Sequence, residues 1–388
     1  MDSTTSFRNV YLSATILAIA NMGDAFLYAW LPSNYEHIGI PAMWVGVILS
    51  VNRFTRLLMN GWVAWWLSNK GIKTLMIGAS IAASVTTASY GFINAVPLWI
   101  LARVLWGISF STLRIGNTLY SLEHPRKGMA LGLGRALVEL GPVAALLAGP
   151  LLLSYTGRGL GFLCFGLVNI AGVLPAFILT GLKTKKVSKK HLVLSKPSSF
   201  NVLVLINAFI TEGLLVVILA KLIEGEQARS ISTSLALVGL LLGYRRLALV
   251  LLSPLSGWLG DRYGFHKLFI YTTVFSAAGL LFILMDQAIT GIVVSFTFSA
   301  MNAAAATGGA VTTAASYLKE ISDNATWRDT GTASGAILGA IMLPAENIRW
   351  LILLLLVLNS AALVYHLRKP DNKGSWINLR LFKITKSL

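Results

Sequence analysis

Apolar residues occur in long runs along the whole chain, and short polar segments separate them. A helix needs about 20 apolar residues to cross a bilayer, and runs of this length recur from end to end. Irregular backbone in lipid would leave its polar groups without hydrogen bonds, so each run is predicted to be a helix. The pattern therefore predicts an all-α integral membrane protein. Twelve spans are expected, near residues 9 to 32, 42 to 67, 72 to 92, 96 to 120, 128 to 154, 159 to 182, 200 to 222, 231 to 257, 266 to 285, 288 to 314, 327 to 345 and 349 to 367.

The second half of the chain repeats the layout of the first. A shift of 193 positions aligns identical residues in the two halves, and a shift of 188 aligns Asp24 with Glu212. Two matching halves in an apolar chain are typical of transporters. The pairs at the longer shift are Val45 and Val238, Gly46 and Gly239, Leu49 and Leu242, Arg53 and Arg246, Gly71 and Gly264, and Arg135 and Arg328. The predicted units are a six-helix half at 1–182, a basic linker at 183–199, a second six-helix half at 200–367 and a tail at 368–388.

Composition supports a membrane location. Hydrophobic residues make up 55% of the chain and charged residues 12%, against roughly 25% charged residues in soluble domains. The net charge of +17 arises because Lys and Arg collect in alternate loops. By the positive-inside rule both termini face the cytoplasm, and we expect a multi-pass protein of a bacterial inner membrane. The basic residues are spread over short loops, which argues against a nucleic-acid partner.

Few residues in the spans are suited to catalysis or metal binding. Cys164 is the one cysteine, and the five histidines fall in loops or near helix ends. No metal, no cofactor and no enzymatic activity are therefore expected. A receptor is disfavoured as well, because the tail is too short for a sensory domain. The histidines are His37, His124, His191, His266 and His366.

The loop after the eighth span carries a family resemblance. The stretch GWLGDRYGFHK contains Gly257, Asp261, Arg262 and Gly264 and resembles the loop signature of the major facilitator superfamily. The equivalent loop of the first half keeps less of it, with Ser68 in place of the acid. The resemblance implies two pseudo-symmetric bundles and a gating role for this loop. Physically, its glycines permit close helix contact, and an acid beside an arginine can pair across the bundle in one state and release in another.

The fourth span has a second resemblance. Arg103 precedes Gly107 by four residues, similar to a motif of proton-coupled carriers in the superfamily. In those relatives the arginine is associated with proton transfer. The alternative is that Arg103 holds neighbouring helices together through backbone carbonyls.

The fifth span is similar to the antiporter motif of exporters in the superfamily. Leu137 and Ala145 stand where that motif usually has glycine. The resemblance favours export, whereas small residues and proline also permit kinking and close packing in any membrane bundle. The matching residues are Gly134, Gly141, Pro142, Gly149 and Pro150.

Arginines within the spans outnumber acids. A central arginine costs roughly 2.5 to 3.5 kcal/mol on insertion scales unless it is paired or hydrated, so a wet cavity is predicted. Arg53, Arg56 and Asn60 line one side of the second span, and Arg246 repeats Arg53 in the other half. Guanidinium groups suit carboxylates or phosphates, so these four residues are candidate binders of an anionic substrate.

Two of the other arginines have a simpler explanation, and a third has an acid nearby in its own helix. Arg114 and Arg328 are expected near cytoplasmic ends, where their side chains would reach towards the headgroups. Arg135 and Glu139 are spaced to pair along their helix.

Proton coupling requires an acid that can lose its charge. Asp24 shares a helix face with Asn21 and Tyr28, which makes these three residues candidates for the proton and substrate site. Burial disfavours a charged carboxylate, so Glu212 and Glu139 are further candidates, with Arg103 as a partner. For Glu212 the alternative is a salt bridge to Arg245 or Arg246.

The sequence thus predicts a monomeric secondary transporter that works by alternating access and exports a small polar or anionic molecule in exchange for protons. The segments GDAFLYAWLP and VGVILSVNRFTRLLMNGW resemble bacterial exporters of small hydrophilic siderophores, and a carboxylate siderophore would suit the arginines. A multidrug efflux carrier and an uptake permease for a nutrient anion are the alternatives.

Overall fold

Helices account for nearly all of the described chain. The computed structural model describes residues 3–182, 184–187, 196–226, 231–311, 317–343 and 348–368. The helices of the first half are α1 (Ser3–Asn34), α2 (Ala42–Lys70), α3 (Ile72–Ser89), α4 (Val96–Leu122), α5 (Lys127–Ala171) and α6 (Val173–Ile178). Those of the second half are α7 (Ser199–Ala208), a π-helical turn (Phe209–Leu214), α8 (Leu215–Glu226), α9 (Ile231–Tyr263), α10 (Phe265–Leu284), α11 (Ala288–Ala310), α12 (Tyr317–Met342) and α13 (Arg349–Arg368).

The helices match the predicted membrane spans closely enough to confirm the fold class. Within the described residues, ten ranges are long and apolar enough to cross a bilayer. One of them covers two crossings, because α5 breaks at Gly157, where φ is 73°. The helix α12 is more polar than the rest but continues the same bundle. The predicted span began at residue 327, whereas α12 begins ten residues earlier. The prediction placed the start too late because the first turns of α12 contain the charged residues Lys319, Glu320 and Asp323.

Glycines with positive φ end helices at equivalent places in the two halves. Gly71, between α2 and α3, has φ 87° and ψ 140°, and Gly264, between α9 and α10, has φ 91° and ψ 136°. A side chain is poorly tolerated at these angles, so only glycine fits the turn readily. The repeat at an offset of 193 therefore reflects a shared backbone geometry.

Large apolar side chains cover the outside of the bundle. Leu58 is 74% exposed, Leu147 73% and Leu240 69%. Apolar surface on this scale indicates a lipid environment.

The two halves share a core at one end of the bundle and keep separate cores at the other. We call the end that holds Gly71, Arg126 and Gly264 the basic face, and the other end the opposite face. Near the basic face, Tyr317 and Ile321 pack in one cluster with first-half residues. Near the opposite face, one described cluster contains only first-half residues and another only second-half residues. Among the described clusters, the one that joins the halves therefore lies at the basic face.

Parts of the predicted domain division lie outside the described residues. These are residue 183 and residues 188–195 of the linker, and residues 369–388 of the tail. The division itself stays a prediction.

Candidate functional site

Charged side chains from both halves meet inside the bundle, between the two faces. Each of the four interior carboxylates has an arginine within 4 Å. Arginines outnumber the carboxylates, so the interior keeps a positive surplus. The acids are Asp24, Glu139, Glu212 and Asp329, and the arginines are Arg53, Arg56, Arg103, Arg114, Arg135, Arg245, Arg246 and Arg328.

Asp329 on α12 forms one bridge between the halves. Its carboxylate accepts hydrogen bonds from Arg114 on α4 at 3.0 and 2.6 Å, and Arg56 on α2 lies 3.4 Å away. Asn60, one turn along α2, donates to Thr326 at 3.2 Å and to Asp329 at 3.5 Å. A two-pronged arginine–carboxylate pair fixes the orientation of both groups. The cluster therefore holds α2 and α4 of the first half to α12 of the second.

This bridge changes the prediction for Arg114. Its side chain does not extend to the headgroups, because the carboxylate of Asp329 holds it in the interface and leaves 18% of it exposed. It also changes the interpretation of Arg56 and Asn60. Both contact Asp329 of the second half.

Glu139 on α5 forms the second bridge. It pairs with Arg135 at 2.8 Å, one turn away on the same helix, as its spacing predicted. It also pairs with Arg246 on α9. Glu139 is 3% exposed, whereas the Arg246 side chain is 35% exposed. One buried carboxylate is thus shared by arginines from the two halves.

Glu212 pairs within the second half. Arg328 on α12 donates to it through Nε at 3.0 Å and through Nη2 at 2.6 Å. The proposed pairing of Glu212 with Arg245 or Arg246 is therefore wrong, as is the expectation that Arg328 extends to the headgroups. Glu212 lies in the π-helical turn, and π turns often occur at functional sites.

The geometry of α12 explains how the two helices come close enough for this pair. A Cβ added to Gly335 would lie 2.9 Å from the carbonyl carbon of Phe209, so this position requires glycine. The close approach places Arg328 within reach of the π-helical turn.

Asp24 lies in a closed network within the first half. It pairs with Arg103, which is 0% exposed and also donates to the carbonyl of Ile48 at 3.1 Å. The Tyr28 hydroxyl donates to the carbonyl of Leu49 at 2.7 Å. Arg103 therefore holds neighbouring helices together, as the alternative interpretation of its motif proposed.

The surroundings of Asp24 also limit its access to a substrate. Asp24 is 7% exposed, whereas Asn21, one turn earlier on α1, is partly exposed. A carboxylate that already has a buried arginine partner is a poor first contact for a substrate. Of the three candidates on this face, Asn21 and Tyr28 keep the greater exposure.

Two arginines differ from the rest, because no carboxylate of the described chain lies within 4 Å of them. Arg53 on α2 lies over the ring of Tyr28, with its guanidinium carbon 5.9 Å from the ring centroid. Arg245 on α9 lies over the ring of Phe296 at 5.6 Å. Both side chains are partly exposed. They are the interior cations with most freedom to bind an anion.

The predicted gating loop contacts the other half through backbone groups. Asp261 accepts hydrogen bonds from the N–H groups of Gly128 at 2.7 Å and Met129 at 2.9 Å, at the start of α5. Carboxylates are stabilised at helix N-termini, so Asp261 caps α5 from the opposite half. Arg262 makes no such contact and lies over the rings of Trp258 and Tyr263.

A buried histidine lies beside this contact. His124 is 2% exposed, its Nδ1 accepts a hydrogen bond from the N–H of Arg126 at 2.9 Å, and its ring packs on Phe7. Burial lowers the pKa of His124, and the charge of Arg126 acts in the same direction. The neutral ring is therefore favoured at the basic face.

The glycines of the antiporter-like motif pack α5 against α1 and α4. A Cβ on Gly141 would lie 2.5 Å from the carbonyl carbon of Ala18, and one on Gly149 would overlap the ring of Phe26. A Cβ on Gly134 would lie 3.3 Å from the hydroxyl oxygen of Ser121. Pro142 is buried next to Gly141. These contacts give the motif a packing role here.

The sequence interpretation missed the most connected acid. The sequence assigned Asp329 no partner and no role. The only local signal was its position beside Arg328. Its partners Arg56 and Arg114 are more than 200 residues away in sequence, so spacing could not have found them.

Sequence comparison finds relatives that span the chain. No protein-family model matches it. The chain is 22% identical over 400 residues to the multidrug resistance protein MdtG of Klebsiella pneumoniae, covering 94% of this chain and 95% of that protein. It is 24% identical over 363 residues to MdtG of Escherichia coli, covering 86% and 87%.

Structural comparison agrees on the architecture. A bacterial homologue of the iron transporter ferroportin, in an outward-facing state, matches with a TM-score of 0.70 and 13% identity over 95% of this chain and 100% of that one. The human organic anion transporter MFSD10 matches with 0.73 and 12%, over 94% and 99%. The fucose:proton symporter FucP of E. coli matches with 0.72 and 13%, over 96% and 100%. The chain has the fold of major facilitator transporters.

Proposed function

We propose that the protein is a proton-coupled secondary transporter that exports a small anionic organic molecule by alternating access. The fold supports transport, and the full-length similarity to multidrug resistance proteins supports export. The protein acts as a monomer in a bacterial plasma membrane, with the basic face and both termini in the cytoplasm. The asymmetry of Lys and Arg between the loops supports this orientation.

The orientation gives the structure a place in the transport cycle. If the basic face is cytoplasmic, halves that are closed there and apart at the opposite face form an outward-facing state. The contacts that must break for the cytoplasmic side to open include those of Asp261 with the start of α5 and those of Asp329 with Arg56 and Arg114.

The anionic substrate class is inferred from two arginines that have no carboxylate of the described chain within 4 Å. Arg53 and Arg245 come from opposite halves, on helices that correspond in the repeat. A guanidinium group in a low-dielectric cavity gains most from an anionic partner. An organic anion with two acidic groups would satisfy both residues, and a carboxylate siderophore belongs to this class.

Glu139 offers a route for coupling to protons. It shares Arg246, which is the more exposed of its two partners. An incoming anion that binds Arg246 leaves Glu139 with only Arg135, and a buried carboxylate with fewer cationic partners takes up a proton more readily. Anion binding and protonation of Glu139 would then be linked through one arginine. Glu212 and Asp24 each pair with one arginine, and an incoming anion would displace these ion pairs less easily.

The first experiment identifies the cargo. Culture medium and cell extracts from a deletion strain and its parent, grown with and without iron, are compared by untargeted mass spectrometry. We expect an anionic compound to disappear from the medium and accumulate in the mutant cells. Restriction of this change to low iron would indicate a siderophore. If no compound changes in either fraction, the export proposal fails.

The second experiment tests the arginines with that compound. Arg53→Gln, and likewise Arg246→Gln, should weaken equilibrium binding roughly tenfold or more, since a charge-assisted hydrogen bond is worth about 1.5 to 3 kcal/mol. Arg349→Gln is the matched control, because Arg349 is a surface arginine whose side chain is 64% exposed. Unchanged affinity in Arg246→Gln would contradict the anionic site.

Multidrug efflux is the second candidate, because the relatives that span the chain carry that name. It predicts that the deletion strain becomes sensitive to several unrelated toxic compounds while its medium stays unchanged. In that case resistance would not depend on Arg53 or Arg245.

A further inference from the structure

A cavity lies between the halves and is lined by residues of α1, α4, α5, α11 and α12. Its volume is about 70 Å³. A water needs roughly 10 to 15 Å³ of such volume, so the cavity has room for about five waters and not for an organic cargo molecule. Because its walls come from both halves, it exists in this form only while the basic face is closed.

Three arginines line this cavity. They are Arg114 of α4, Arg135 of α5 and Arg328 of α12. The described lining contains no acidic residue, because Asp329, Glu139 and Glu212 hold the same arginines from outside it. The cavity wall therefore presents arginines, and their partner carboxylates lie behind them.

Other groups around the cavity suit an anion. The Nε atoms of Arg114 and Arg135 are buried and have no hydrogen-bond partner in the described chain. Asn117 accepts a hydrogen bond from Ser13 at 2.9 Å through Oδ1, which leaves its NH₂ group to donate. Buried donors without acceptors are costly, and a bound anion would satisfy them.

We propose that this cavity binds a small inorganic anion such as chloride, and that the anion holds the two halves together at the basic face. Two of the arginines belong to the first half and one to the second, so an anion between them would attract groups of both halves. It would add to the Arg114–Asp329 pair that already joins the halves. A ligand that binds only the closed form shifts the population towards it. The inference does not depend on the identity of the transported molecule.

Thermal stability of the purified full-length protein tests binding without any transport assay. Melting is followed in potassium chloride, bromide or gluconate at constant ionic strength. Gluconate is too large for the cavity. We expect a saturable rise in Tm with chloride and bromide and none with gluconate. An equal Tm in all three salts would overturn the proposal.

Variants locate the effect. Arg135→Gln should weaken the halide dependence roughly tenfold or more by removing one charge-assisted contact, while Glu139 keeps Arg246 and so is not left unpaired. Arg349→Gln, which removes the same charge at the surface, should retain the full halide response. A halide response that is unchanged in Arg135→Gln would contradict the proposed site.

A second variant covers the case in which Arg135→Gln does not fold. Thr307→Asp places a carboxylate on the cavity wall, where it takes the place of the anion. This variant should be insensitive to halide. Diffraction from crystals soaked in bromide gives direct evidence: an anomalous peak between Arg114, Arg135 and Arg328 supports the site, and its absence there refutes it.

Discussion

At the scale of single residues, the four interior carboxylates differ in how many arginine partners they have. Asp329 and Glu139 each have two arginine neighbours and join the halves, whereas Asp24 and Glu212 each have one and stay within their own half. Removing one partner of a buried pair leaves the other charge without compensation. The acids that join the halves are therefore the residues whose loss should affect the transport cycle most.

Asp329→Asn is expected to destabilise the closed state by about 3 kcal/mol, because Arg56 and Arg114 would lose their carboxylate in a buried interface. Transport should fall sharply and Tm should drop. Asp286→Asn is the matched control, because that carboxylate pairs with Arg349 at the surface and is 70% exposed. Such exposed pairs contribute about 0 to 1 kcal/mol. Equal Tm values for the two variants would show that Asp329 does not hold the halves together.

At the scale of helices, α5 and α9 make the closest contact between the halves. A Cβ on Gly257 of α9 would lie 2.6 Å from the carbonyl carbon of Gly128 on α5, and Asp261 caps α5 one turn further along. Near the middle of the same pair of helices, Arg246 contacts Glu139. One helix pair thus combines close backbone packing, a helix cap and an ion pair.

Gly257→Ala should prevent full closure of the basic face, because the added methyl group would overlap the backbone of Gly128. We expect a lower Tm and slower transport. Gly243→Ala on the same helix is the control, because no atom lies within 4 Å of its added Cβ. That variant should retain the Tm and the transport rate of the parent. A Gly257→Ala protein as active and stable as Gly243→Ala would contradict the proposed contact.

At the scale of the whole molecule, the two halves pack together differently at the two faces. Near the opposite face, one core contains only first-half residues and another only second-half residues, whereas the described core shared by both halves lies at the basic face. Alternating access predicts a second state in which this arrangement is reversed. In that state the contacts of Asp261 and Asp329 are broken.

Cross-linking of the closed end should stop the cycle. Lys127 at the start of α5 and Tyr317 at the start of α12 are in contact, with the amine 2.5 Å from the hydroxyl. Cysteines at both positions, in a Cys164→Ser background, should react with a short bis-methanethiosulfonate, which forms a reducible disulfide with each thiol and releases sulfinate. The linked protein should lose transport and regain it when the link is reduced. Transport that continues in the linked protein would exclude opening at this end, and each single-cysteine variant is the control for modification alone.

The sequence by itself determined the membrane class, the spans and the repeat, because hydrophobic runs and glycine turns are local features. Gly71 and Gly264 show this, since their shared backbone angles follow from residue type and position. The pairing of Arg135 with Glu139 was also predictable, because both lie on one helix one turn apart.

Only the tertiary structure decided which charges meet. Asp329 contacts Arg114 across 215 positions, and Glu212 pairs with Arg328 instead of Arg245 or Arg246 because the π-helical turn and Gly335 bring α12 close. An arginine in an apolar run must find a carboxylate, water or ligand, but its sequence does not say which. Helix packing makes that choice, and here it leaves Arg53 and Arg245 without a carboxylate in the described chain.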